Sequence, residues 1–233
     1  MRKLIHIDQK IMNPQDKINI EDLEKTSKSS KRIIGKPKIY DLDGNLLAEE
    51  ENLVVLTGRE FLAQKLAGIP DENGENYLNY DIRYFGIGDG GTEGNPPNTV
   101  GPFDNDNELS NRVKISNTGI STSTNSYKYI DNGFLKKITS DGSISIVNET
   151  HIINTASGEE EVAKKTGILF KLVIQKDEPA DKPVKFNEAA LYAVKFDEDG
   201  NPTDTKIMFA RFTTLDKYLD INDGISIEWT ILV

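Results

Sequence analysis

Apolar and polar positions alternate most cleanly in residues 167–233, where four strands are predicted in succession, at 167–175, 187–196, 206–212 and 225–233. In the last of them Ile225, Ile227, Trp229, Ile231 and Val233 fall on one face and Ser226, Glu228 and Thr230 on the other. That period of two is the mark of a half-buried strand, so the end of the chain is expected to be core. The 206–212 strand is apolar on both faces, with Ile207 and Phe209 on one and Met208, Ala210 and Phe212 on the other. It is therefore expected to be covered on two sides or to lie at an interface.

Earlier in the chain the pattern predicts a hairpin, 38–42 with 45–56, turning at Asp43-Gly44, a dipeptide suited to tight turns. A helix follows over 57–67. Thr57 and Glu60 have capping-box spacing, Phe61, Leu62 and Leu66 make an apolar stripe, and Gly68 with Pro70 stops it. A strand at 81–88 runs into a Gly-, Pro- and Asn-rich loop, 89–107, long enough to be functional or interface-bound. Residues 108–115 return to the core. Across 116–165 weak strands at 126–130, 133–138 and 143–148, with turn pairs Asn132-Gly133 and Asp141-Gly142, suggest a meander of hairpins. The expected fold is mostly β: an antiparallel, jelly-roll-like sandwich carrying one helix. Two regions are expected, an extended N-terminal arm (1–37) and a β-rich body (38–233), with a short helix at 19–25 in the arm.

Charge sharpens this division. Residues 1–38 hold ten Lys/Arg against five acids, while the rest holds 18 against 33, within a net charge of −10. A basic arm on an acidic body suits docking on an acidic protein surface, a copy of the body included. The arm has no Phe, Tyr or Trp to stack on bases, so nucleic acid is not the expected partner. Its apolar positions Leu4, Ile7, Ile11, Met12, Ile18, Ile20 and Leu23, with Lys31 and Arg32, are the candidate contacts with a neighbouring subunit that would tie the arm down. Apolar residues make up 36% of the chain, low for a compact globule, which again suggests surface buried against a partner. With no cysteine, disulfides and thiolate metal sites are excluded. No apolar run approaches the ~20 residues of a membrane-spanning helix and the N-terminus lacks a secretory pattern, so a soluble protein with no membrane partner is expected.

Motifs for chemistry are few. Gly86-Ile87-Gly88-Asp89-Gly90-Gly91 matches a dinucleotide fingerprint in spelling, but Pro96, Pro97 and Pro102 forbid the helix that would face the pyrophosphate. It reads as a glycine-rich loop leaving a strand, and no cofactor is expected. Acidic clusters at 41–45, 104–108 and 197–201 have the look of turns; Asp104, Asp106 and Glu108, which alternate, are the candidates for a calcium site. His6 and His151 stand 145 positions apart with no nucleophile motif, and Asn148-Glu149-Thr150 has meaning only in a secreted protein. Trp229, Tyr84, Phe85, Tyr192, Phe196, Phe209 and Phe212 are core aromatics, or else a sugar-stacking platform. No catalytic residues are assigned and no enzymatic activity is expected.

Taken in order, these segments resemble a group of tailed-bacteriophage virion proteins of tails, baseplates and fibre attachments. The resemblance rests on a strand-then-helix opening at 52–68, a strand into a Gly-rich loop at 84–98, and the pair Glu108 and Arg112. It continues with an E-x-x-L-Y/F strand at 188–192, an F-A-R-F strand at 209–212 and an apolar end with I-E-W-T-I at 227–231. It covers about 52–233 and departs from the pattern where Ala189-Ala190 replaces a small residue plus Gly, and in the longer 116–165 region. It implies a virion structural protein, assembled in the host cytoplasm, whose partners are other virion proteins and copies of itself; the arm, which lies outside the resemblance, and the 89–107 loop are the expected contacts. A capsid-surface or head-fibre protein and a carbohydrate-binding receptor-recognition module are the alternatives. Within the body, Glu108 or Glu188 is expected to pair with Arg112 or Arg211 and to fix register.

Overall fold

The computed structural model describes residues 33–70, 74, 76–115, 128–138, 143–154, 160–179, 183–219 and 223–232, the side chains of Ile34, 150–154 and 160–164 apart. The arm to Arg32, the short helix expected at 19–25, the Asp141-Gly142 turn and Val233 lie outside these residues.

The described elements are, in order, β1 (Ile34–Asp41), β2 (Leu46–Glu49), β3 (Asn52–Val54), α1 (Leu56–Ala67), β4 (Tyr80–Gly88), β5 (Thr92–Glu93), β6 (Asn98–Thr99) and β7 (Tyr129–Ile130). They continue with β8 (Leu135–Lys137), β9 (Ile144–Asn154), β10 (Glu160–Ile174), β11 (Val184–Phe196), β12 (Pro202–Leu219) and β13 (Ile225–Leu232). Eleven strands form one antiparallel sheet in the order β7-β8-β4-β11-β12-β3-β1-β13-β10-β9, with β2 beside β1; β5 and β6 pair separately. The fold is thus mostly β with one α-helix among the described residues, as the pattern predicts. In place of two separate sheets there is a single continuous sheet that curls on itself.

The curl follows from where the apolar residues lie. β13 alternates buried and half-buried from Ile225 to Leu232, and Trp229 sits opposite Pro37 of β1 and Phe170 of β10. Across the core Phe212 of β12 meets Trp229 edge to face, ring centroids 4.9 Å apart. Phe85, Ile87, Phe186 and Leu191 from one limb of the sheet join Phe170, Leu172 and Ile227 from the other in the same core cluster. A second cluster, Tyr84, Leu109, Leu135, Ala190, Tyr192 and Met208 among its members, fills the opposite face of β4, β11 and β12. β12 is buried without a break from Met208 to Thr214, so the two-sided burial expected of 206–212 holds.

Three expectations need correction. Residues 34–37, assigned to the arm, belong to β1, where Gly35 pairs with Ile231 and Pro37 with Trp229. The capping box at Thr57 is absent: α1 begins one residue earlier behind extended Val55, and the Thr57 hydroxyl donates to the Met208 carbonyl instead (2.8 Å). Leu66 is 89% exposed, because the helix turns Gly58, Phe61 and Gln64 inward. The docking explains why: a Cβ on Gly58 would fall 2.1 Å from the Phe209 carbonyl oxygen, so α1 lies close against β12 along this i, i+3, i+6 line. Gly68 does end the helix, in the left-handed conformation (φ 70°).

Candidate functional site

Polar groups converge where the glycine-rich loop leaves β4. Glu188 of β11 pairs with Gly88 of β4 on one side and Thr213 of β12 on the other, and is wholly buried. Arg211 lies opposite Ala190, two residues along the same face, so its side chain reaches Glu188 diagonally. Its Nη2 and Nε donate to Glu188 Oε2 at 2.6 and 3.0 Å, and Nη1 donates to Asp106 Oδ2 at 2.6 Å. Burial works against the guanidinium charge, but hydrogen bonds to Asp106 and the charge of Glu188 outweigh it and hold the Arg211 pKa above the ordinary arginine value.

The other carboxylate oxygen, Glu188 Oε1, accepts from the backbone N–H groups of Gly90 and Asn111, both at 3.2 Å. Next to it Asn187, also buried, accepts from the Gly91 N–H (2.6 Å) and donates to Thr92 Oγ1 (2.7 Å) and Asp216 Oδ1 (2.8 Å). The glycines are the corollary. A Cβ on Gly88 would stand 2.4 Å from Glu188 Oε1, and one on Gly91 2.3 Å from the Asn187 carbonyl oxygen. This loop is therefore spelled with glycine so that two side chains of β11 can hold its backbone. It continues into β5 with no helix, as the prolines predict.

Of the four residues expected in ion pairs, Glu188 and Arg211 meet each other, whereas Glu108 and Arg112 do not. Arg112 pairs with Asp131, whose carboxylate also takes Lys206 at 2.9 Å; Glu108 stands 3.7 Å from Lys206. Burial opposes charge on Asp131, yet Lys206 and Arg112 hold its carboxyl below the usual range. Asp104, Asp106 and Glu108 each turn to a different cation, Arg59 (3.4 Å), Arg211 and Lys206, and no group of three metal-ligating side chains occurs among the described residues. The acidic clusters at 41–45 and 197–201 are turns: Asp41 and Asp197 each accept from the backbone N–H four residues on, at 2.7 Å.

Sequence reasoning missed a second buried network. Glu178, just past β10, accepts from Tyr129 Oη (2.6 Å), Lys128 Nζ (3.0 Å), the Gln175 N–H (2.8 Å) and Lys136 Nζ. Lys136 also donates to the Val173 carbonyl (2.6 Å). Burial opposes the Glu178 charge, but these donors hold its carboxyl below the usual range. The cluster ties β7 and β8, at one end of the sheet order, to β10 near the other, and so fastens the curl. No local signal announces it, because Lys136 and Glu178 are 42 positions apart in polar contexts.

Tyr84, Phe85, Tyr192, Phe209, Phe212 and Trp229 are buried and present no open stacking face, while Phe196 is half-buried. His151 lies in β9 opposite Ala163, its side chain outside the described residues, as is the whole of His6. Leu4, Ile7, Ile11, Met12, Ile18, Ile20, Leu23, Lys31 and Arg32 are likewise outside them. Comparison with protein-family models, with curated proteins and with solved structures gives no match.

Proposed function

We propose that the chain is a non-enzymatic structural protein of a tailed-bacteriophage virion, placed in the tail or baseplate, where it joins neighbouring structural proteins and copies of itself. The observation that carries this reading is that separate segments of the resemblance meet at one centre. The Gly-rich loop, Glu188 of the E-x-x-L-Y/F strand and Arg211 of the F-A-R-F strand are hydrogen-bonded to one another. The centre spends its buried charge on holding an irregular loop in one shape, which is what a building block wedged between neighbours requires. In this reading the limbs of the curled sheet act as the two layers of a jelly-roll-like sandwich. The leader makes one contact with a neighbour and the 89–107 loop, held by Arg211 through Asp106, a second.

The test is incorporation. A chain lacking residues 1–32, a boundary that spares β1, should fold and stay soluble yet fail to enter the particle, as read by mass spectrometry of purified virions. Normal incorporation would remove the leader from the account. Imaging the wild-type particle separates a tail or baseplate position from the capsid surface.

A further inference from the structure

The sheet is split beside β3. β3 links β1 to β12 only through Asn52, Leu53 and Val54. Past it, β2 pairs with β1 alone, and β12 beyond Phe212 pairs with β11 alone among the described residues. Two strand edges are thus left without ladders on their facing sides. They meet at the base of the split, where Thr214 Oγ1 donates to Glu50 Oε1 (2.6 Å). A cleft opens there, lined by Glu49, Glu50 and Glu51 on the β2 side, Thr213 on the β12 side and Gly101, with Lys36 as the cation among the lining residues. Leu46 and Leu47 on β2, and Leu215 and Tyr218 on β12, are exposed along the same two strands.

Unpaired edges carrying exposed apolar side chains are an aggregation hazard unless something covers them, and an extended peptide added as a strand is the natural cover. The acidic wall selects for a basic one. The chain supplies such a peptide in Lys-Thr-Ser-Lys-Ser-Ser-Lys-Arg at 25–32, four cations with no acid, directly ahead of β1. Residue 33, from which that peptide continues, is at the far end of β3, its carbonyl accepting from the Val54 N–H (3.4 Å), whereas the cleft begins at Glu51 and runs the other way along β1.

We propose that the cleft between β2 and β12 receives the basic 25–32 segment of a second copy of the chain, so that copies link head to tail. The inference rests on the reading of the protein as an assembly subunit and names the surface that assembly uses. Such a heterologous contact builds rings or filaments according to whether its rotation closes.

The chain has no cysteine, so single-cysteine variants of the full-length protein report directly. Lys31→Cys and Glu51→Cys, mixed under mild oxidation, should give a mixed disulfide dimer as the main product, and its yield should fall as salt is raised. Replacing Glu51→Cys by Asp197→Cys, in the β11–β12 turn, should lose that product. Absence of the mixed dimer overturns the proposal. So does a double variant, Lys31→Cys with Glu51→Cys, that closes into an intrachain disulfide and stays monomeric. A second readout avoids cysteine: Glu49→Lys with Glu51→Lys, both at exposed positions, should abolish self-association in sedimentation equilibrium while the far-ultraviolet circular dichroism is unchanged. Self-association equal to wild type would also overturn it. Because these measurements use the purified chain, their failure is separate from a failure to find the protein in particles.

Discussion

Glu188 shows how much one side chain organises here. One of its oxygens holds Arg211 and the other holds two backbone N–H groups, with no water needed to satisfy either. Removing one member of such a buried pair leaves the other charge uncompensated, which costs about 3–5 kcal/mol. Glu188→Ala or Arg211→Met should each lower the free energy of urea unfolding by that amount and should speed hydrogen exchange at the Gly90 and Asn111 amides. A loss below about 1 kcal/mol would mean that the pair is solvated or redundant. The double substitution Glu188→Met with Arg211→Met should recover much of the single-variant loss, as isosteric apolar replacements of buried pairs do. At this scale the sequence was partly legible. Glu188 and Arg211 were singled out through the resemblance, as the polar members of its E-x-x-L-Y/F and F-A-R-F strands. Asp106 was read as a candidate calcium ligand rather than as a partner of Arg211, and Arg112, offered Glu108 or Glu188, meets Asp131 instead, 19 positions away in a polar stretch.

Among the elements, strands were easier to read than their ends or their partners. The period of two in β13 and the two-sided apolar run of β12 identified both, since burial of one or both faces leaves its mark directly in the residue types. The helix was found, and of its expected stripe Phe61 and Leu62 face the core while Leu66 does not. Packing on β12 is set by what lies across the contact, here the Phe209 carbonyl under Gly58, and no local periodicity encodes that. The fastening of β7 and β8 to β10 through Glu178 was equally invisible, and it makes a prediction of its own. Glu178 and Asp131 hold protons less readily in the folded chain than in the unfolded one. Their contribution is therefore full above the ordinary carboxylate range, about 4, and is lost as pH falls through that range toward their lower folded values. Urea midpoints followed by the emission of the single, buried Trp229 should fall between neutral pH and the acid range. In Glu178→Gln the midpoint should be lower at neutral pH and should fall less steeply on acidification. An unchanged slope would show that the Glu178 cluster does not bear on the fold's stability.

For the whole molecule, the proposed assembly role rests on two features, an acidic, curled sheet and a basic N-terminal segment. The charge asymmetry was evident from the sequence, because it needs only counting. The single continuous sheet was not, because the bridge made by β3 between β1 and β12 is only three residues long and carries no pattern that distinguishes one sheet from two. That same short bridge leaves the cleft between β2 and β12. The proposed virion role is tested most directly by a cryo-electron microscopy map of phage particles purified from the host strain that carries the coding sequence. The account predicts density for this β-rich body at a fixed, symmetry-related position in the tail or baseplate, in contact with more than one neighbouring subunit. Purified particles that lack the protein altogether would contradict it.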